Sequence, residues 1–253
     1  MTLHVERLGA GPDLVLLHGW ALHGGAWSPV ASRLASRFRV HVIDLPGHGH
    51  SHGVIFSDLD SLSASVAGAV PAGSAVCGWS LGALVAMKLA AIAKLGIRAL
   101  GLVAATPSFV SREGWSAGIA PRTLADFARD LGRDRDGSVR AFLQLNARGA
   151  SGARACIRQL EGMLVQRPAA DDAALAASLD VLAMTDLRAQ AERLTQPAVV
   201  IHGACDELVP AGAGRLLAAS MPNARFVGID DAAHAVLVTH ADAVAQALER
   251  IDG

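Results

Sequence analysis

Five short aliphatic runs punctuate the chain, at Leu14–Leu17, Val40–Ile43, Ala75–Cys77, Ala99–Ala104 and Ala198–Ile201. Each is apolar at nearly every position and bounded by turn residues, the pattern of strands buried on both faces of a parallel sheet. Leu3–Leu8 and Arg225–Ile229 add two further strands. Helical periodicity alternates with these runs, most clearly over Leu81–Lys94 and Ala241–Ile251. Alternation of this kind predicts a doubly wound α/β sheet, mostly parallel, flanked by helices and joined by right-handed crossovers.

The rhythm breaks once. Between Pro107 and Leu187 there is no strand pattern, and four segments read as helical: Thr123–Leu131, Ser138–Ala147, Ser151–Val165 and Asp172–Met184. An all-helical insert between two strands of a parallel sheet emerges at the sheet's carboxyl edge, where ligands bind. We therefore expect a core formed by residues 1–107 and 188–253, with a helical lid over residues 108–187. A helical domain unrelated to any site is the alternative.

Composition changes this picture little. Hydrophobic residues make up 52% and charged residues 18%, enough for a large core and against global disorder. The most apolar stretch, Leu81–Ala105, is interrupted by Lys88, Lys94 and Arg98, short of the roughly 18 unbroken apolar residues of a membrane span. The N-terminal residues lack the basic end and apolar run of a signal peptide. A soluble, cytoplasmic monomer is expected. The net charge of −1 gives no general attraction to nucleic acid or anionic membrane. The three cysteines, Cys77, Cys156 and Cys205, have no metal-type spacing, and neither a metal nor a cofactor is expected.

Candidate chemistry begins at Gly78-Trp79-Ser80-Leu81-Gly82, directly after a strand and before a helix. That context is what a G-x-S-x-G nucleophile elbow requires, because the serine must stand on a sharp turn that lifts its hydroxyl clear of the sheet. A serine hydroxyl needs a positioned base. Among ten histidines, His234 lies just past the Phe226–Ile229 run and before the last helix, where the serine–acid–histidine order of such folds puts the base. His240 lies further on and fits less well. The acid should follow the preceding strand, and Asp206 does so; Glu207, Asp230 and Asp231 are its competitors. The oxyanion hole should combine the N–H of Leu81 with one from the loop after an earlier strand. His18-Gly19-Trp20 supplies that loop, with Trp20 as the second donor and its indole as a wall of the acyl pocket. Asp44-Leu45-Pro46-Gly47 reads as a supporting turn.

Taken together, His18-Gly19-Trp20, Asp44-Leu45-Pro46-Gly47, Gly78-Trp79-Ser80-Leu81-Gly82, Thr185-Asp186-Leu187-Arg188 and Ala232-Ala233-His234 resemble the pimeloyl-[acyl-carrier protein] methyl ester esterases. These are the carboxylesterases of biotin synthesis and belong to the α/β-hydrolase superfamily. The resemblance runs from about Leu14 to the C-terminal helix and implies the α/β-hydrolase fold. It also implies hydrolysis of the methyl ester on pimeloyl-acyl carrier protein, with release of methanol. The family's nucleophile, acid and base fall on Ser80, Asp206 and His234. Its substrate contacts fall on Trp20, Ser80, Leu81, His234 and the segment Phe142, Leu143, Gln144, Leu145 and Asn146. On periodicity alone Phe142, Leu143 and Leu145 read as the apolar side of a lid helix.

From Gly137 to Arg167 the arginines are 140, 148, 154, 158 and 167 and the single acid is Glu161, a net +4. Such a surface could steer an acidic carrier protein, and Arg140, Arg154 and Arg158 are the expected docking residues. The family's basic positions fall on Arg154 and Arg158; Gly137 and Ala141 stand at two others, with Arg135 and Arg140 close by. A broad short-chain carboxylesterase and a carbon–carbon-bond hydrolase are rival readings on one scaffold. A binding protein that keeps a hydrolase pocket is the rival from another class.

Overall fold

The computed structural model describes residues 2–251. In chain order its strands are β1 (Val5–Leu8), β2 (Asp13–Leu17), β3 (Arg39–Ile43), β4 (Ala75–Trp79), β5 (Ala99–Val103), β6 (Ala198–Gly203) and β7 (Ala224–Ile229). They form one sheet of order β1-β3-β2-β4-β5-β6-β7 in which only the β1–β3 pairing is antiparallel. β1 is the predicted Leu3–Leu8 strand, shortened and placed at an edge.

Apolar residues on both sides bury the inner strands β2 to β6, whereas the edge strands β1 and β7 stay partly or fully exposed. Leu14 and Leu16 pack into one core cluster and Val15 and Leu17 into the other. A leucine buried this completely stabilises the fold by about 1.5–3 kcal/mol. Helices α1 (Ser28–Leu34), α10 (Val236–Thr239) and α11 (Ala241–Leu248) cover the Leu14 face. Helices α2 (Leu59–Ala67), α3 (Leu81–Ala90), α8 (Arg188–Ala191) and α9 (Ala211–Ser220) cover the Val15 face. Asp58 and Ser61 form a capping box at the start of α2, satisfying donors that the first turn otherwise leaves free.

Two helices stop sooner than their periodicity predicts. α3 ends at Ala90 rather than Lys94, because the chain must return to start β5. Gly96 takes a left-handed conformation there and Gly73 N–H donates to the Leu95 carbonyl. α11 ends at Leu248, after which Ile251 N–H closes a turn onto the Leu248 carbonyl.

Between β5 and β6 lie α4 (Pro121–Leu131), α5 (Arg135–Ala147), α6 (Ala153–Leu164) and α7 (Asp172–Met184). Pro121 opens α4, where its missing N–H costs nothing. The Asp134 carboxylate accepts from Gly137 N–H at the start of α5. Residues 109–119 form a bridged loop, with Val110 opposite Ile119 and Arg112 opposite Trp115. Because β2, β4, β6 and β7 run parallel, their carboxyl ends stand side by side, and the loops that follow them meet at one edge. No helix among the described residues is long and apolar enough to cross a membrane.

Candidate active site

Ser80 sits between β4 and α3 at φ 57°, ψ −114°, a left-handed backbone that a non-glycine residue holds at a cost of about 1–3 kcal/mol. Its N–H donates to the Val103 carbonyl at 2.9 Å, and its carbonyl accepts from Ala83 N–H at 2.9 Å. The flanking glycines allow the crossing. A Cβ on Gly78 would strike the Gly82 carbonyl, and one on Gly82 would lie 2.5 Å from the Leu17 oxygen and 2.7 Å from that of His18. The second contact brings the loop after β2 onto the first turn of α3.

The structure brings Ser80, His234 and Asp206 together. His234 Nε2 lies 3.0 Å from Ser80 Oγ, and His234 Nδ1 lies 2.8 Å from Asp206 Oδ2. Asp206 Oδ1 accepts from the N–H groups of Leu208 at 2.9 Å and Val209 at 2.8 Å. Burial works against its charge, but His234 and the hydrogen bonds from His202 and His234 outweigh it and hold the carboxyl well below the usual carboxylate range. The base is fixed from behind, since Trp79 Nε1–H donates to the His234 carbonyl at 3.0 Å. A hydroxyl proton can therefore pass to Nε2 while Nδ1–H stays on a charged acceptor.

The rival residues point elsewhere. Glu207 is exposed and pairs with Arg148 at 3.0 Å. Asp230 and Asp231 are exposed, and His240 Nδ1 lies 2.8 Å from Thr239 Oγ1.

Leu81 N–H heads α3, where an unpaired first-turn donor and the helix dipole favour negative charge. Neither it nor Trp20 N–H donates to a backbone carbonyl among the described residues. Trp20 is 1% exposed and its Nε1–H donates to the Leu175 carbonyl of α7 at 3.0 Å. Its ring meets Phe127 and Phe142 edge-on, at 5.4 and 4.7 Å between centroids.

These aromatics line an apolar cleft of about 70 Å³ that reaches Ser80. Phe142 and Leu145 belong to it, three residues apart on one face of α5. The other positions of the predicted contact segment do not. Leu143 is turned to the opposite side, packed with Cys156 and Leu160; Gln144 is exposed. Asn146 is buried, and its carbonyl accepts from Ala235 N–H at 3.0 Å. The expected grouping of Leu143 with Phe142 and Leu145 gives way because successive helical positions lie about 100° apart. Most of the remaining wall comes from Phe109, Ile119, Leu124, Phe127, Leu179 and Leu182, with Thr123 and Leu208 beside them, none of them singled out as site residues in the sequence. The spacing of Leu124 and Phe127 on α4 was the available signal.

The basic run from Gly137 to Arg167 is also divided. Arg167 is not a surface charge: its side chain is 7% exposed, with Nη1 2.7 Å from Asp44 Oδ1 and Nη2 2.7 Å from Glu6 Oε1. Asp44 is fully buried and also accepts from Gly24 N–H at 2.7 Å and His50 N–H at 2.9 Å. Arg148 pairs with Glu207, whereas Arg140, Arg154 and Arg158 are exposed and carry no ion pair among the described residues. His18 Nε2 accepts from Leu45 N–H at 2.9 Å and its Nδ1 lies 2.8 Å from the Gly19 carbonyl. Burial, reinforced by His48, pushes His18 down to about 3.

The chain matches the alpha/beta hydrolase family over residues 14–247. It is 42% identical over 249 residues to the pimeloyl-[acyl-carrier protein] methyl ester esterase of Xanthomonas campestris pv. campestris, covering 98% of each chain. With the protein of that name from Aeromonas hydrophila it is 41% identical over 255 residues, covering 100% of both. In structure it is similar to an esterase from Exiguobacterium antarcticum, with TM-score 0.89 at 20% identity over 98% of this chain and 94% of the other. That similarity in fold and those full-length relatives agree with the elbow and its partners: the chain belongs to the α/β hydrolase family, among the pimeloyl-[acyl-carrier protein] methyl ester esterases.

Proposed function

We propose that the chain is a serine carboxylesterase that hydrolyses the methyl ester of a pimeloyl group carried on acyl carrier protein, releasing methanol. Ser80, His234 and Asp206 carry the reaction. His234 takes the Ser80 proton as the serine oxygen attacks the ester carbonyl, and the oxyanion rests on the N–H groups of Leu81 and Trp20. His234 then protonates the departing methanol. Water, deprotonated by the same imidazole, releases the carboxylate. The observation that carries this reading is the 3.0 Å approach of His234 Nε2 to a serine on a left-handed turn, at the end of an apolar cleft.

The cleft supports a methylene chain as the acyl part, since its walls offer aromatic and aliphatic surface. At about 70 Å³ it is far below the roughly 300 Å³ of a small ligand pocket. Residues 108–187 act as a lid, and α4 and α7 part to admit the substrate. Arg140, Arg154 and Arg158 form the face toward the acidic carrier.

Ser80→Ala tests the nucleophile. Its kcat/KM on the carrier-bound ester should fall about a thousandfold or more while the ester still binds. Turnover within tenfold of the parent would remove Ser80 from the mechanism. Comparison with a small ester of equal acyl length separates a carrier-dependent enzyme from a broad esterase.

A further inference from the structure

A second histidine stands on the acid. His202 lies in β6, wholly buried, four residues before Asp206. Its Nε2 is 2.7 Å from the Val209 carbonyl and 3.3 Å from Asp206 Oδ2, the oxygen that faces His234. A carbonyl accepts only, so Nε2 carries the proton. Nδ1 is buried with no partner among the described residues, pressed against α9 where a Cβ on Gly214 would collide with it.

Val209 is thus held at both ends. Its N–H donates to Asp206 Oδ1 and its carbonyl accepts from His202 Nε2–H. The ring closes the loop from β6 to α9 around the carboxylate. It leaves Oδ2 with one strong donor, His234, and one weaker donor at the side.

We infer that His202 is a positioning residue of the ester hydrolase. Through its Nε2–H it fixes the loop and the rotation of the Asp206 carboxylate, so that Oδ2 is aimed at His234. The inference rests on the reading of Ser80, His234 and Asp206 given above. It adds a fourth buried side chain to the reaction's geometry, one that never meets the substrate.

The expected effects separate a donor from a mere filler of space. His202→Phe keeps an aromatic ring but no donor. His202→Gln places an amide N–H near the level of Nε2. His202→Asn places one at the level of Nδ1, too short to reach, and serves also if the Phe variant does not fold. Turnover of a p-nitrophenyl ester should be measured per serine titrated with a fluorophosphonate, across pH 5–9.

With the loop donor gone, the carboxylate is no longer held toward His234, and the imidazolium loses part of its stabilisation. His202→Phe and His202→Asn should then lose about tenfold in kcat with KM within about twofold. The acid limb of the pH–rate profile should move down by about half a unit. His202→Gln should recover to within about threefold of the parent and restore the limb. Equal losses in Gln, Asn and Phe, or an unchanged limb with unchanged kcat per titrated site in Phe and Asn, would overturn the inference. Asp206→Asn is the control. If it loses activity while the His202 variants do not, only the inference fails; if it stays active, the triad beneath it fails as well.

Discussion

Replacing Arg167 with methionine should destabilise the protein far more than loss of a surface charge would. The guanidinium is nearly enclosed and joins the connection between α6 and α7 to Asp44, which follows β3, and to Glu6 in β1. Breaking a buried ion pair by removing one partner costs about 3–5 kcal/mol, because the other charge is left without compensation. The N–H groups of Gly24 and His50 remain on the Asp44 carboxylate, which places the cost at the lower end, about 3 kcal/mol. For a chain of this size each kcal/mol moves the melting temperature by about 2–4 °C, so a drop of roughly 6–12 °C is expected.

Thermal melts of the parent, Arg167→Met, Asp44→Asn and the double variant supply the assay. Once Asp44 is neutral the arginine has less to compensate. The two changes together should therefore cost at least about 1.5 kcal/mol less than the sum of the single changes. A melting temperature within about 2 °C of the parent for Arg167→Met, or strict additivity of the two changes, would refute the buried-pair argument. It would also return Arg167 to the set of surface cations.

Two further outcomes follow from other parts of the structure. Arg154→Glu combined with Arg158→Glu should lower kcat/KM on the carrier-bound ester at least about tenfold, and the parent's turnover should fall with added salt. A small methyl ester should be hydrolysed as before, and equal losses on both substrates would exclude docking. His18, pushed down to about 3 by burial, takes up its proton more readily unfolded, near the ordinary 6.5. Between about pH 6 and pH 4 the unfolded chain then binds one more proton at this position, so stability falls as the pH falls, by about 1.4 kcal/mol per unit. Urea midpoints against pH should show a shallower decline for His18→Asn; identical slopes would count against the buried neutral imidazole.

What the sequence revealed depended on how local each constraint was. The elbow was legible because a positive-φ serine between two glycines is a chain-neighbour problem, written in five consecutive residues. Asp206 and His234 were legible from order along the chain, since each follows a strand that had to lie at one side of the sheet. The cleft was not, because its walls come from α4, α5 and α7, whose rotation about their axes is settled only by mutual packing. Leu143 shows this directly: it is as apolar as Phe142, yet it faces the other core. α9, with its Ala-Gly-Ala-Gly start, gave too little contrast between faces to stand out. Arg167 misled for a related reason, as a lone cation in a basic run reads as solvated until Asp44 is seen beneath it. His202 was not singled out in the sequence; only the loop's closure puts it beside the acid.

The Asn146 carbonyl holds the amide next to His234, and this bond limits how the active site can open. α5 ends on the segment that carries His234, so a displacement of one bears on the other. If α5 swung outward at its carboxyl end, it would drag the imidazole off the serine and switch the enzyme off while admitting the ester. On the proposed reading, access without loss of alignment comes from the opposite bank, by α4 parting from α7, which the Trp20 indole holds through the Leu175 carbonyl. Stiffening that bank, for example by a cross-link between those helices, would slow entry while leaving the proton relay in register.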